Sequence, residues 1–237
     1  MKVVLLAAGE GTRLRPITNT IPKCLVPING VPLLDFWLNA LAPAESVNQI
    51  YLNLHYLADK VVRHIVRNWN HLDNLYCWHE DNLLGTAGTL IRNVSQLTED
   101  DVMVIHADNL SVFDMDDFIA AHRNRPKECE ITMMLFATDT PQSCGIVEVD
   151  AHGVVTNMHE KVANPPGNLA NGAVYIFSKQ VIETLKCSAI TDISTELLPS
   201  YFEKIFGWVN QTYHRDIGTP SSYTLAQQEI KRVLNKN

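Results

Sequence analysis

Residues 2–8 read as a short buried strand, Lys2 followed by an unbroken aliphatic run from Val3 to Ala8 that Gly9 closes. A loop rich in glycine and proline follows, to about Pro32. Apolar residues then recur at helical spacing over 33–41, a strand pattern returns at 49–54, and a second helix is predicted over 57–69. In that helix Leu57, Val61, Val62, Ile65, Val66 and Trp69 fall on one face. The alternation continues with a strand at 75–79, a helix at 86–94, a buried strand at 102–107 and a helix at 114–122 with acidic residues in its first turn. Strands alternating with helices predict a mainly parallel sheet covered by helices on both faces.

The pattern changes after Lys127. Strands are predicted in succession at 130–138, 145–149, 154–160 and 172–178, with turns at Gly153 and at Pro165-Pro166-Gly167. Helical stretches follow at 178–185 and 194–202, then a strand at 209–213 and a helix at 220–234 with Pro220 in its first turn. No repeat or low-complexity linker interrupts the 237 residues. The expectation is one domain over 1–237, in two halves at 1–126 and 127–237.

Composition narrows the function classes. The formal net charge is −7 and the basic residues are scattered, apart from Arg13, Arg15 and Lys23, so a nucleic-acid-binding surface is not expected. Five widely spaced cysteines, never as C-x-x-C, argue against a disulfide framework or zinc knuckle and fit a reducing, cytoplasmic setting. No apolar run approaches the roughly 20 residues that cross a bilayer, and no membrane partner is expected.

The densest chemistry lies in the first loop. Gly9 and Gly11 follow the first strand, and without a Cβ they let backbone N–H groups approach an anion. Arg13 can fork across phosphate oxygens, Lys23 supplies a compact point charge, and Pro16, Pro22 and Pro27 stiffen the loop. The loop is not a Walker A sequence, because no Gly-Lys-Ser/Thr follows the glycines. Nor is it G-x-G-x-x-G, because Leu14 stands at the third glycine position.

The run from Gly9 through Gly11-Thr12-Arg13, Pro16 and Thr18 to Pro22-Lys23 and Pro27 resembles the signature loop of the sugar nucleotidyltransferase (nucleotide-sugar pyrophosphorylase) family. The likeness continues in order along the chain: Leu84-Gly85-Thr86-Ala87-Gly88, Ala107-Asp108-Asn109, Glu160-Lys161, Asn171-Gly172 and Asp216-Ile217-Gly218-Thr219. Ala107 departs from the family's usual glycine before the aspartate. The resemblance implies an α/β fold, a Rossmann-like three-layer sandwich with a mixed, mainly parallel central sheet of the nucleotide-diphospho-sugar transferase type. It also implies that the chain condenses a nucleoside triphosphate with a sugar 1-phosphate and releases pyrophosphate.

By the same resemblance Leu6, Ala8, Gly9, Gly11, Thr12, Arg13, Lys23, Glu80, Gly85, Thr86 and Asp108 contact the nucleotide. Gly145, Glu160, Lys161, Asn171 and Gly172 lie on the sugar-phosphate side, and Asp108 with Asp216 holds Mg²⁺. Arg13, Lys23 and Asp108 are the expected catalytic residues. The reaction needs no general base, since a sugar 1-phosphate oxygen is already an anion; its difficulty is the approach of mutually repelling anions. An acceptor-only carboxylate at Glu80 suits guanine, which offers N1–H and N2–H₂ donors. GTP is therefore favoured over uridylyl, thymidylyl or cytidylyl transfer, and the likeness of Leu84–Gly88 and Asp216–Pro220 to compact guanylyltransferases implies a mannose- or manno-heptose-1-phosphate as the sugar substrate. A nucleotide-sugar-dependent glycosyltransferase would share the sheet and metal carboxylates but has no use for the Arg13–Lys23 loop.

Three weaker signals carry ordinary explanations. His106 suits a strand end more than a zinc site, the sequons at Asn93 and Asn210 are chance matches, and the acidic run at 114–117 reads as a helix start.

Overall fold

A computed structural model describes residues 1–235. In chain order the elements are β1 (Lys2–Leu6), β2 (Pro27–Ile28), β3 (Val31–Pro32), α1 (Leu33–Leu41), β4 (Gln49–Leu54), α2 (Ala58–Asn68), β5 (Leu75–His79), α3 (Thr86–Arg92), β6 (Val102–His106) and β7 (Asn109–Val112). There follow α4 (Met115–Arg123), β8 (Ile131–Ala137), β9 (Gly145–Val149), β10 (Val155–Glu160), β11 (Leu169–Phe177), α5 (Lys179–Leu185), β12 (Ile205–Val209), β13 (Tyr213–Asp216) and α6 (Pro220–Leu234). The fold class is the expected one, a mixed, mainly parallel central sheet with flanking helices.

The chain forms two compact units that interleave in sequence. One, the loop unit, comprises Val3–Leu83, Ile105–Phe113 and the chain from Thr212 on. The other, the strand-rich unit, comprises Met1–Lys2, Leu84–Val104 and Asp114–Gln211.

In the loop unit the strand order runs β6-β1-β4-β5, with β4 and β5 parallel. Val3, Val4 and Leu5 of β1 have no exposed surface, as a central aliphatic strand requires. The backbone N–H of Ala107 donates to Leu6 O at 3.0 Å, so the two chain segments leaving β1 and β6 emerge side by side. Past that point β7 pairs antiparallel with β13, which places Asn109 opposite Asp216. A core of Ile28, Leu33, Leu110, Ile217, Ala226 and Ile230 holds α6 beneath this ribbon. Thr219 caps α6 by accepting from Ser222 N at 3.2 Å, and Pro220 opens it.

In the strand-rich unit the order is β10-β9-β11-β6, with β8 on β11 and β12 on β8. Pairings β10/β9, β11/β9 and β11/β8 are antiparallel and β12/β8 is parallel. Asp114 starts α4 by accepting from Asp117 N at 3.0 Å, the acidic first turn expected from the sequence.

Three local expectations are corrected. On α2, Val61 and Trp69 pack inward but Val62 and Val66 face solvent, because positions one residue past the i, i+4 stripe rotate about 100° away from it. The helix expected over 194–202 is a π-turn at Ile193–Leu197 and a 3-10 turn at Leu198–Tyr201, since Pro199 has no N–H to continue a helix. The strand expected over 209–213 is replaced by β12 and β13, which end and begin on either side of a break because each has a different partner strand. No helix among the described residues is long and apolar enough to cross a membrane.

Ile230 is fully buried in the core beneath the β7/β13 ribbon. Ile230→Ala is expected to lower stability by about 2–5 kcal/mol, read as a reduced urea midpoint at unchanged m-value.

Candidate functional site

The first loop is built on buried anchors and presents its two arginines outward. Leu14, Thr18, Lys23 and Cys24 are buried, whereas Arg13 and Arg15 face solvent. Gly11 has φ +63°, a left-handed conformation, and a Cβ there would lie 3.0 Å from both Lys23 Cβ and Thr18 Cγ2. Thr18 Oγ1 donates to Gly11 O at 2.7 Å and Tyr56 Oη donates to Thr18 O at 3.0 Å, so the loop's curvature is fixed by side chains from within the same unit. Burial drives the Cys24 thiol up to about 12, which removes it as a nucleophile.

Lys23 is the centre of the arrangement. Its side chain is only 5% exposed, and its ammonium donates to Asp108 Oδ2 at 2.7 Å and Asp216 Oδ1 at 3.4 Å. Burial alone would lower the lysine's pKa, but the two carboxylates outweigh it and hold the pKa above the ordinary lysine value. For Asp108 burial favours the neutral acid, and the Lys23 charge and hydrogen bond overcome it, leaving the carboxyl below its usual range. The pair's contribution to stability is therefore fully present through neutral pH. It is lost only as pH falls through the lowered Asp108 value or rises through the raised Lys23 value.

Arg13 approaches from the solvent side, its Nη2 3.7 Å from Asp216 Oδ2. Such an exposed contact is weak and leaves the guanidinium able to turn to a ligand. Gly218 N donates to Asp216 Oδ1 at 2.7 Å. A Cβ on Gly218 would stand 2.9 Å from both Arg13 Nη2 and Asp216 Oδ1, so glycine keeps the space between guanidinium and carboxylate open. His214, two residues before Asp216, is pushed down to about 4 by burial and stays neutral, with Nδ1 2.7 Å from Ser111 Oγ.

Glu80 belongs to the same unit and is buried; Asn53 Nδ2 donates to its Oε1 at 3.0 Å. Leu6, Ala8 and Gly9 lead into the loop, with Thr12 in its first 3-10 turn. The structure thus gathers Arg13, Lys23, Asp108 and Asp216 into one connected set within the loop unit.

The remaining candidates belong to the strand-rich unit. Gly85 has φ +81°, and a Cβ there would meet Thr191 O at 2.4 Å. Thr86 Oγ1 donates to Asp192 Oδ2 at 3.2 Å and accepts from Ile193 N at 2.8 Å. Gly145 pairs with Glu160 across β9 and β10, and a Cβ at 145 would lie 2.6 Å from Glu160 Oε2. Glu160 Oε1 and Lys161 Nζ form an ion pair at 2.7 Å. Asn171 lies on β11 before Gly172, donates to Tyr175 Oη at 2.8 Å and accepts from Ala173 N at 2.8 Å. Asn53 and Asp192 were not singled out by the sequence: one is an amide among the apolar residues of β4, the other an acid in a loop, and only their partners give them meaning.

The donor set fits a hard divalent cation. Two carboxylates converge within one ammonium's reach, and oxygen ligands of this kind leave the remaining coordination to phosphate and water. Among the described residues no group of three or more His, Cys, Asp or Glu side chains forms an all-protein metal cage.

The Nucleotidyl transferase family profile matches residues 2–233. The chain belongs to this family. Within it, the chain is 29% identical to mannose-1-phosphate guanylyltransferase of Mycobacterium tuberculosis over 98% of its own length and 65% of that protein. It is 26% identical to D-glycero-alpha-D-manno-heptose 1-phosphate guanylyltransferase of Aneurinibacillus thermoaerophilus over 99% of this chain and 100% of that protein. It spans just under two thirds of the length of the mannose-1-phosphate relatives it matches. Among solved structures it is similar to HddC from Yersinia pseudotuberculosis complexed with GMP-PN, with TM-score 0.79, 25% identity, and 97% and 99% of the two chains covered. The Gly9–Pro27 loop, Asp108, Asp216 and the stretch from Gly145 to Gly172 all fall within the matched span.

Removing the ammonium while keeping the stem should expose the burden it carries. In Lys23→Met, Asp108 is expected to titrate at higher pH than in the native chain, because burial and the Asp216 charge remain without their counterion. Carboxyl-carbon NMR titration of Asp108 reads this directly; an unmoved midpoint would refute the electrostatic role given to Lys23.

Proposed function

We propose that this chain is a cytosolic, metal-dependent sugar-1-phosphate nucleotidyltransferase, with GTP as nucleotide and a mannose- or manno-heptose-1-phosphate as acceptor. The observation that supports it most is the Arg13, Lys23, Asp108 and Asp216 set, which holds two cations and two carboxylates within one loop-and-ribbon framework. The names of the mannose- and heptose-1-phosphate guanylyltransferase relatives support the choice of base and sugar class. In this reading the whole chain works as one nucleotidyltransferase domain.

The sugar 1-phosphate oxygen attacks the α-phosphorus of the triphosphate, a P–O bond forms, and the bond to the β-phosphate oxygen breaks to release pyrophosphate. No proton need be removed from the nucleophile. Arg13 orients the triphosphate and stabilises charge on the α-phosphoryl and departing pyrophosphate. Backbone N–H groups of the Gly9–Thr12 stretch cradle phosphate oxygens. Lys23 keeps Asp108 and Asp216 together and adds positive charge on the phosphate side. Asp108 and Asp216 would hold Mg²⁺, which when bound neutralises phosphate charge and orients the reacting groups. Leu6, Ala8, Gly85 and Thr86 shape the nucleotide site and Glu80 accepts hydrogen bonds from guanine. Gly145, Glu160, Lys161, Asn171 and Gly172 take the sugar phosphate, with Lys161 neutralising its charge.

The test is a matrix of nucleoside triphosphates against sugar 1-phosphates with Mg²⁺, following pyrophosphate. GTP with a manno-configured sugar 1-phosphate is expected to dominate, and release that depends on a different base would overturn the substrate assignment. Arg13→Ala and Asp108→Ala are each expected to cut turnover on the best pair at least about a hundredfold. Near-normal turnover in either variant would remove that residue from the mechanism.

A further inference from the structure

Asn53 is the polar residue in the buried stretch of β4: Ile50, Tyr51, Leu52 and Leu54 are all buried, and Asn53 itself is only 4% exposed. A buried amide in that position is costly unless both its ends are bonded. Both are. Its Oδ1 accepts from Ala7 N at 2.7 Å, where β1 passes into the phosphate loop, and its Nδ2 donates to Glu80 Oε1 at 3.0 Å.

The two bonds fix the amide's orientation. The Ala7 N–H can only donate, so the carbonyl end must face it and the NH₂ end must face Glu80. Glu80 must then present an acceptor oxygen to Asn53. Its backbone is held as well: Glu80 N donates to Leu54 O at 2.9 Å, and His55 Nδ1 lies 2.8 Å from Glu80 O. One side chain therefore ties the start of the phosphate loop to the carboxylate that follows β5.

We propose that Asn53 is a positioning residue for base selection, setting the aim and acceptor character of the Glu80 carboxylate relative to the phosphate loop. This rests on the reading of Glu80 as the group that accepts from guanine N1–H and N2–H₂. A carboxylate whose Oε1 is held by an amide on a buried strand is restrained from turning to suit other bases. Because the anchor also holds Ala7, base and triphosphate are registered to the same amide.

Replacing the NH₂ by oxygen is the sharpest test. Asn53→Asp keeps the shape and the acceptor for Ala7 N but replaces the donor to Glu80 Oε1 with an acceptor, so the bond that aims the carboxylate is lost. The probes are GTP and ITP, which differ only in the 2-amino group that Glu80 would accept from. Asn53→Asp is expected to raise the KM for GTP and lower the GTP/ITP ratio of kcat/KM by about tenfold or more, the scale of a hydrogen bond to a charged group. The KM for sugar 1-phosphate and kcat at saturating GTP should stay within about twofold of native. A merely structural role would lower kcat and thermal stability and leave the ratio untouched, and that result overturns the proposal. Glu80→Gln, measured in parallel, separates the two levels. If Glu80→Gln lowers the ratio while folded Asn53→Asp does not, the base reading stands and the role of Asn53 fails. If Glu80→Gln leaves the ratio at its native value, the base reading itself fails and the inference falls with it. Should Asn53→Asp not fold, Asn53→Ser, which gives up the bond to Glu80 while removing less charge balance, carries the same expectations.

Discussion

The site depends on one buried ammonium. Asp108 and Asp216 approach the same point from β6 and from the β7/β13 ribbon, and two carboxylates that close repel each other unless a positive charge stands between them. Lys23 supplies that charge from the first loop, and it does so from a nearly solvent-free position where the interaction is strong. A buried lysine without these partners would be expensive, and Asp108 without the lysine would be pulled towards protonation by burial. Each group makes the others tolerable, so the set is kept or lost as a whole.

The surrounding structure follows from that constraint. The loop must return Lys23 to the end of β1, so Gly11 takes a left-handed turn, Thr18 pins its carbonyl and Cys24 packs beneath. The ribbon must hold Asp216 beside Asn109, so Ile217 and Ile230 anchor it from below and Gly218 leaves its carboxylate unobstructed. Arg13 lies in the outer, exposed layer, where its contact to Asp216 is cheap to break. The inner ammonium is buried against both carboxylates, whereas the outer guanidinium is exposed and held by one long contact.

Glycines in the strand-rich unit answer to the same logic of close approach. Gly85 admits the Thr191 carbonyl, and Gly145 admits the Glu160 carboxylate. Asp192 holds Thr86 while its other oxygen accepts from Thr195 N at 2.8 Å, so the turn after Gly85 is braced by a loop more than a hundred residues away in sequence.

Much of this was written in local sequence. The aliphatic run before Gly9, the amphipathic helices and the run of strands after Lys127 specify a layered α/β fold, because burial period and turn residues act over a few neighbours. The residue types Arg13, Lys23, Asp108 and Asp216 disclosed anion and cation chemistry through their order in a family pattern. Tertiary structure alone decided what depends on partners distant in the chain. It made Lys23 the bridge between two aspartates, split the expected strand over 209–213 into β12 and β13, and turned Asn53 from a lone polar residue into a tie between Ala7 and Glu80. Hydrogen bonds and ion pairs are set by distances of a few ångströms in space, and residues separated by scores of positions carry no local signal of meeting there.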